Sequence, residues 1–188
     1  MPMLPTPPPM LLLAGTSEAG KSSAGEYLGA LGARRIKIRT ILVQLTTGRE
    51  AYHEGTETRE DFAYEEFIAK LIELSIASEA PLVVESFIDA ALTAELKRAW
   101  PAPCDIIFIT APQALRIRRL AAARGMSTKQ AQQIVRRKDD RKRVHEQLPT
   151  WRAVADHWID NSADITSFRA RLRGALEAIQ TPPGGTPS

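Results

Sequence analysis

The stretch "LLLAGTSEAGKSS" at residues 11–23 restricts what this chain can fold into more than any other short segment. A continuous apolar run, residues 10–14, enters Gly15; after four intervening residues come Gly20, Lys21 and Ser22, and from Lys21 onward the sequence takes on helical period. Apolar side chains at consecutive positions suit a strand covered on both faces, as in the middle of a parallel sheet. Such a strand leaves the sheet at its C-terminal edge, turns sharply and returns as a helix, which commits the chain to alternating strands and helices with right-handed crossovers. Gly15 permits the sharp exit, and Gly20 lets the backbone approach a ligand closely. The spacing fills every fixed position of the GxxxxGK(S/T) template, in which successive N–H groups and a helix N-terminus hold a phosphate.

That loop nominates its own functional residues. Gly15, Thr16, Ser17, Glu18, Ala19, Gly20, Lys21, Ser22 and Ser23 form the expected nucleotide cradle. Lys21 neutralises the β and γ phosphates and the Ser22 hydroxyl ligates Mg²⁺, so ATP and Mg²⁺ are the expected cofactors. Glu18 is out of place, because an acid beside phosphates opposes their binding unless its side chain points away.

Further apolar runs at 82–85 ("LVVE") and 105–110 ("DIIFIT"), with weaker ones at 34–38 and 157–160, supply the other strands. Helices are expected over 21–31, with Ala24, Leu28 and Leu31 on one face and Gly25 and Gly29 packed close to the sheet, and over 61–78, with Tyr64, Phe67, Ile68, Leu71 and Ser75 in phase. Another spans 89–100, where Asp89 reads as a cap and Pro101 as a stop. Pro112 opens the next, which Gly125 closes in a left-handed conformation; Ser127 with Gln130 makes a capping box for a helix that ends before Pro149. The last covers 166–179 and turns Phe168, Leu172, Leu176 and Ile179 inward. Residues 1–9 and 181–188, rich in proline, read as tails around one domain at 10–180. Trp100, Trp151 and Trp158 read as packing, and His53, His145 and His157 lack the spacing of metal ligands.

The net charge of +3 is too small to imply a nucleic-acid or membrane partner, but it is unevenly spread. Acids crowd into residues 54–66, whereas 116–143 is rich in arginine and lysine. Arg116, Arg119 and Arg124 suit a helical lid over about 112–148 that closes on transferring phosphates, where cationic clamps stabilise the transition state. Nucleic-acid binding is the rival use of these charges, but no aromatics are interleaved for stacking. Glu85, at the end of the third strand and beside the loop, is placed to hold a Mg²⁺-bound water or to take a proton from an acceptor hydroxyl. The base-reading NKxD and the DxxG of GTP switches are absent. A single cysteine, Cys104, excludes an internal disulfide, and the start lacks a basic n-region and a long apolar core, so a cytoplasmic location is expected.

"GTSEAGKSS", "VVES", "TAPQALRIRRLAAARG" and "ADHWIDNSADI" occur in the order found in small P-loop kinases, and the chain resembles the nucleoside monophosphate kinase and dephospho-coenzyme A kinase group over residues 10–179. The resemblance implies a P-loop NTPase-type α/β fold, with a five-stranded parallel sheet of order 2-3-1-4-5, helices on both faces and a helical lid. It also implies γ-phosphoryl transfer from ATP, with Asn161 near the adenine. Where dephospho-coenzyme A kinases place an acid after the second strand, "ARRIKIRTIL" has Lys37 and Arg39, and Arg39 resembles the arginine that nucleotide kinases use on an acceptor phosphate. With Arg59, these cations make an anionic small-molecule acceptor the expectation, a nucleoside monophosphate first. The loop also looks like that of chloramphenicol phosphotransferases, so a hydroxyl acceptor on dephospho-coenzyme A, a nucleoside or an antibiotic stands beside it. A nucleotide-dependent nucleic-acid-binding module is the alternative of another class.

Overall fold

A computed structural model describes residues 6–45, 64–76, 78–87 and 89–181. Five parallel strands, β1 (Met10–Gly15), β2 (Arg34–Lys37), β3 (Leu82–Phe87), β4 (Cys104–Thr110) and β5 (His157–Asp160), form one sheet in the order β2-β3-β1-β4-β5. The described residues hold eight helices: α1 (Lys21–Ala30), α2 (Ile38–Leu45), α3 (Tyr64–Ser75), α4 (Ala90–Ala99), α5 (Gln113–Arg124), α6 (Thr128–Arg141), α7 (Val144–Val154) and α8 (Ile165–Gln180). None of them is long and apolar enough to cross a membrane.

The central strand explains the two layers. Every residue of β1 is buried, and its side chains alternate between faces. Met10, Leu12 and Ala14 join Ile41, Phe67, Leu71, Leu96 and Trp151, from α2, α3, α4 and α7. Leu11 and Leu13 face the other way and meet Ala24 and Leu28 of α1 with Phe168, Leu172 and Leu176 of α8. With both faces covered, no position of β1 tolerates a polar residue, and the run is continuously apolar as a result. Helices α5 and α6 pair with each other through a small cluster of their own, Ile117, Leu120, Ala131 and Val135.

Local signals place most of the boundaries. Asp89 caps α4 by accepting from the Leu92 N–H at 2.9 Å, Gly125 closes α5 at φ 59°, and Ser127 and Gln130 complete both halves of the capping box on α6. Trp100 and Trp151 are buried, and Trp158 stacks on Phe108 at 4.3 Å between centroids, so the tryptophans do pack.

Several expectations fail for tertiary reasons. The strand expected over 34–38 stops at Lys37, where the chain turns straight into α2 with Ile38 and Ile41 buried against the sheet. The helix from Ser127 does end before Pro149, at Arg141, but Pro149 lies inside an unanticipated helix, α7, whose Val144 and Trp151 are buried, and burial of this face offsets the lost backbone bond. Leu31 caps α1 and is exposed, outside the buried face of Ala24 and Leu28, and a Cβ on Gly29 would meet nothing within 4 Å. The proline-rich start is not wholly a tail: Pro7 and Pro8 are buried, the Trp100 Nε1 donates to the Pro8 carbonyl at 3.0 Å, and the Leu82 N–H donates to the Pro9 carbonyl at 2.8 Å.

Candidate active site

The loop between β1 and α1 is fixed from three sides. Gly15 has φ 142°, and a Cβ there would stand 1.9 Å from the Ile109 carbonyl oxygen of β4. Gly20 has φ 106°, and its Cβ would stand 2.5 Å from the Asn161 Nδ2. Neither position accepts a side chain, which is the steric reason for both glycines of the template. The Thr16 N–H donates to the Ile109 carbonyl at 3.1 Å, and the Asn161 Nδ2 donates to the Ala19 carbonyl at 2.9 Å. Gly20 provides no side-chain cap to α1, so the first-turn N–H groups of that helix are left for an anion.

Lys21 folds back over the loop and donates to the carbonyls of Gly15 (3.0 Å) and Thr16 (2.7 Å). Burial pushes its ammonium down to about 7, helped by the nearby charge of Lys142 and opposed by Glu18 and Asp139. Glu18 takes a positive φ of 60° and pairs with Lys138 of α6. Burial alone would raise its carboxyl, but the hydrogen bond and charge of Lys138, with Arg124 and Lys21, leave it below the ordinary range. The acid that looked misplaced is thus engaged by α6.

A cavity of about 730 Å³ opens over the loop. On one side stand Lys37 and Arg39, at the end of β2 and the start of α2; on the other stand Arg119 and Arg124 of α5, with Arg141 and Lys142 at the end of α6. Ser22 and Ser23 are exposed between them, and Asn161 closes the wall.

Glu85 lies at the back of this cavity and is 1% exposed. Its Oε1 accepts from Arg35 Nη2 at 2.8 Å with Lys37 Nζ 3.8 Å away, while its Oε2 has no partner and lies under Gly25, where a Cβ would come within 2.4 Å. The close packing expected of Gly25 is against this carboxylate. The residues present fit a triphosphate, given two glycines without room for a Cβ and a lysine across the loop. They also fit Mg²⁺, held by Ser22 and by nucleotide oxygens and waters as that ion prefers, with Glu85 Oε2 as a further acceptor. The described residues contain no cluster of three or more His, Cys, Asp or Glu side chains that would hold a metal unaided.

Arg116 does not face the cavity. It is buried, with Nε donating to the Ala111 carbonyl and Nη1 to the Ser17 carbonyl and to Asp139. Its charge is consumed inside the protein, which corrects its assignment to a clamp on transferring phosphates. Asn161 spends its amide nitrogen on the loop, and Arg59 and His53 lie outside the described residues. Asp139 was missed: it stands among lysines and arginines in "RRKDDRKR", and a carboxylate within a basic run is the one signal that could have drawn attention to it.

No protein-family profile matches the sequence, and no curated protein is significantly similar to it. Solved structures are similar. A gluconokinase from Sinorhizobium meliloti 1021 superposes with a TM-score of 0.61 at 20% identity, over 92% of this chain and 94% of that one. Shikimate kinase from Bacteroides thetaiotaomicron gives 0.58 at 14% identity, over 92% and 99%. Shikimate kinase from Acinetobacter baumannii, in complex with shikimate, gives 0.56 at 18% identity, over 95% and 96%. The fold is that of the P-loop small-molecule kinases, with the strand order that the sequence resemblance implied.

Proposed function

We propose that this protein is an ATP-dependent phosphotransferase that moves the γ-phosphoryl group to a small anionic acceptor, a nucleoside monophosphate first. One observation carries the reading: a phosphate loop with its lysine opens into a single cavity that has a cationic bank on either side, Lys37 and Arg39 facing Arg119 and Arg124. A phosphate acceptor is already ionised near neutral pH and needs cations more than a base. The loop N–H groups and Lys21 hold the donor phosphates, Arg119 and Arg124 close on the charge that spreads over the transferring group, and Arg39 with Lys37 orients the acceptor. Mg²⁺ held at Ser22 would neutralise charge on the β and γ oxygens.

A second reading, transfer to a hydroxyl, is favoured by the unpartnered Oε2 of Glu85 in the same cavity. The neighbours named gluconokinase and shikimate kinase point the same way, since both names denote hydroxy acids. The test is an ATP-consumption screen across nucleoside monophosphates, nucleosides, dephospho-coenzyme A, hydroxy acids and phenicol or aminoglycoside alcohols. Turnover of a monophosphate supports the first reading. Turnover of a neutral alcohol alone, lost in Glu85→Gln, establishes the second. If no acceptor is used but single-stranded nucleic acid binds with an affinity that falls steeply with salt, the binding-module alternative replaces both.

A further inference from the structure

We infer that Asp139, acting with Arg116, is a positioning residue that fixes the apex of the phosphate loop through the backbone of Ser17. The catalytic consequence rests on the kinase reading; the structural part does not. The Ser17 N–H donates to Asp139 Oδ1 at 3.0 Å, and the Ser17 carbonyl accepts from Arg116 Nη1 at 2.8 Å. The same Nη1 lies 2.8 Å from Asp139 Oδ2, which closes a ring around one loop residue. Both backbone polar groups of Ser17 are therefore held by one ion pair, its members 4% and 2% exposed. Arg116 comes from α5 and Asp139 from α6, so the helical hairpin grips the loop from outside it. The neighbouring residue strengthens the grip, since Lys138 pairs with Glu18 while Asp139 holds Ser17.

A buried ion pair is a poor way to stabilise a fold, because desolvation consumes most of the attraction and packed apolar side chains of similar volume often do as well. What an apolar pair cannot do is accept from one backbone group and donate to the other. The pair specifies where the Ser17 backbone lies, and with it the strained turn at Glu18 and the two carbonyls, on Gly15 and Thr16, that anchor Lys21. Phosphoryl transfer depends on such placement: a displacement of about 1 Å in a cradle of this kind can cost about a hundredfold in rate.

The test compares Asp139→Ala, Asp139→Asn and the double variant Arg116→Met/Asp139→Leu with the parent. Three measurements are made: melting temperature, hydrogen exchange of the Ser17 amide relative to core amides of α8, and kcat and KM with the acceptor found in the screen. The double variant is expected to melt close to the parent, to exchange Ser17 at least about tenfold faster and to lose at least about tenfold in kcat, with little change in acceptor KM. Asp139→Asn keeps an oxygen for the Ser17 N–H and is expected to retain the protection that Asp139→Ala loses. Parent-like exchange at Ser17 in both the double and the alanine variants would overturn the inference, as would parent-like kcat in a double variant whose exchange has risen. Should the double variant fail to fold, the alanine and asparagine variants decide it by the same exchange measurement. An inactive parent would count against the kinase reading, while unchanged loop protection would count against this inference.

Discussion

Around residues 15–22 the loop backbone and the Glu18 carboxylate are held by partners from other elements: Ile109 on β4, Asn161 after β5, Asp139 and Lys138 on α6. Across the cavity, Lys37 and Arg39 stand on exposed surface at the junction of β2 and α2. The donor side is built mainly from backbone, which only a few glycines and a lysine can adapt, and that backbone is locked by the rest of the fold. The proposed acceptor side rests on two long exposed side chains, Lys37 at the end of β2 and Arg39 in the first turn of α2, where a substitution chiefly alters charge. One side of the cavity is therefore fixed by the architecture, and on the proposed function the other sets which compound is phosphorylated.

The largest effect should come from the locked side. Lys21→Ala is expected to lower turnover by about a thousandfold, ~4 kcal/mol, the order of a lost electrostatic group in a closed site. The circular dichroism spectrum should stay that of the parent. Turnover within tenfold of the parent breaks the comparison, since the loop would then not be a cradle for transfer. Next come the cavity arginines of α5: on the proposed function Arg119→Ala and Arg124→Ala should each lower kcat by about tenfold or more and leave the nucleotide dissociation constant within about threefold, as expected of groups that engage chiefly in the transition state. Calorimetric titration with ADP beside steady-state kinetics makes that separation.

A smaller and more selective effect is expected across the cavity. Arg39→Ala should raise the KM of a monophosphate acceptor by about tenfold, ~1.4 kcal/mol, with nucleotide affinity unmoved. An equal loss in nucleotide affinity would show that the cavity is not divided as described. The smallest effect concerns Lys21 and pH. Below about pH 7 the lysine is charged in both folded and unfolded chains, and the folded protein bears the full cost of burying that charge. Between about 7 and the ordinary value of 10.5 the unfolded chain holds a proton that the folded one gives up, so stability from this group rises with pH. Lys21→Met should accordingly melt a few degrees higher than the ligand-free parent near pH 6 and lose that advantage near pH 10. An advantage that grows with pH would contradict the sign.

The parts legible in the sequence share one property: their signal is local. The continuous run into Gly15, the Ser127–Gln130 box and Gly125 after α5 each place an element within a few residues, because the chemistry that fixes them lies within one turn. What escaped depends on contacts between distant segments. Arg116 read as a lid clamp because its neighbours Arg119 and Arg124 do line the cavity; only folding shows that it turns inward to Asp139 and Ser17, 99 residues away from the latter. Glu85 was legible as an acid beside the loop, but its engagement by Arg35 of the adjacent strand follows from sheet register, in which Lys37 pairs with Glu85. Helix α2 was hidden because a short apolar run suits strand and helix alike until its burial is known.

The empty side of Gly25 ties two distant positions into one inherited character. A methyl group at residue 25 would press on the Glu85 Oε2 and stand 3.0 Å from Arg35 Nε, so an alanine there requires the buried carboxylate to shift or a shorter residue at 85. Among descendants of a common ancestor these sites should change together or not at all, and a lineage that discarded the acid would be released to put alanine, a better helix former, into α1. Paired substitutions at 25 and 85 would then mark where, in the history of such chains, the back wall of the cavity was rebuilt.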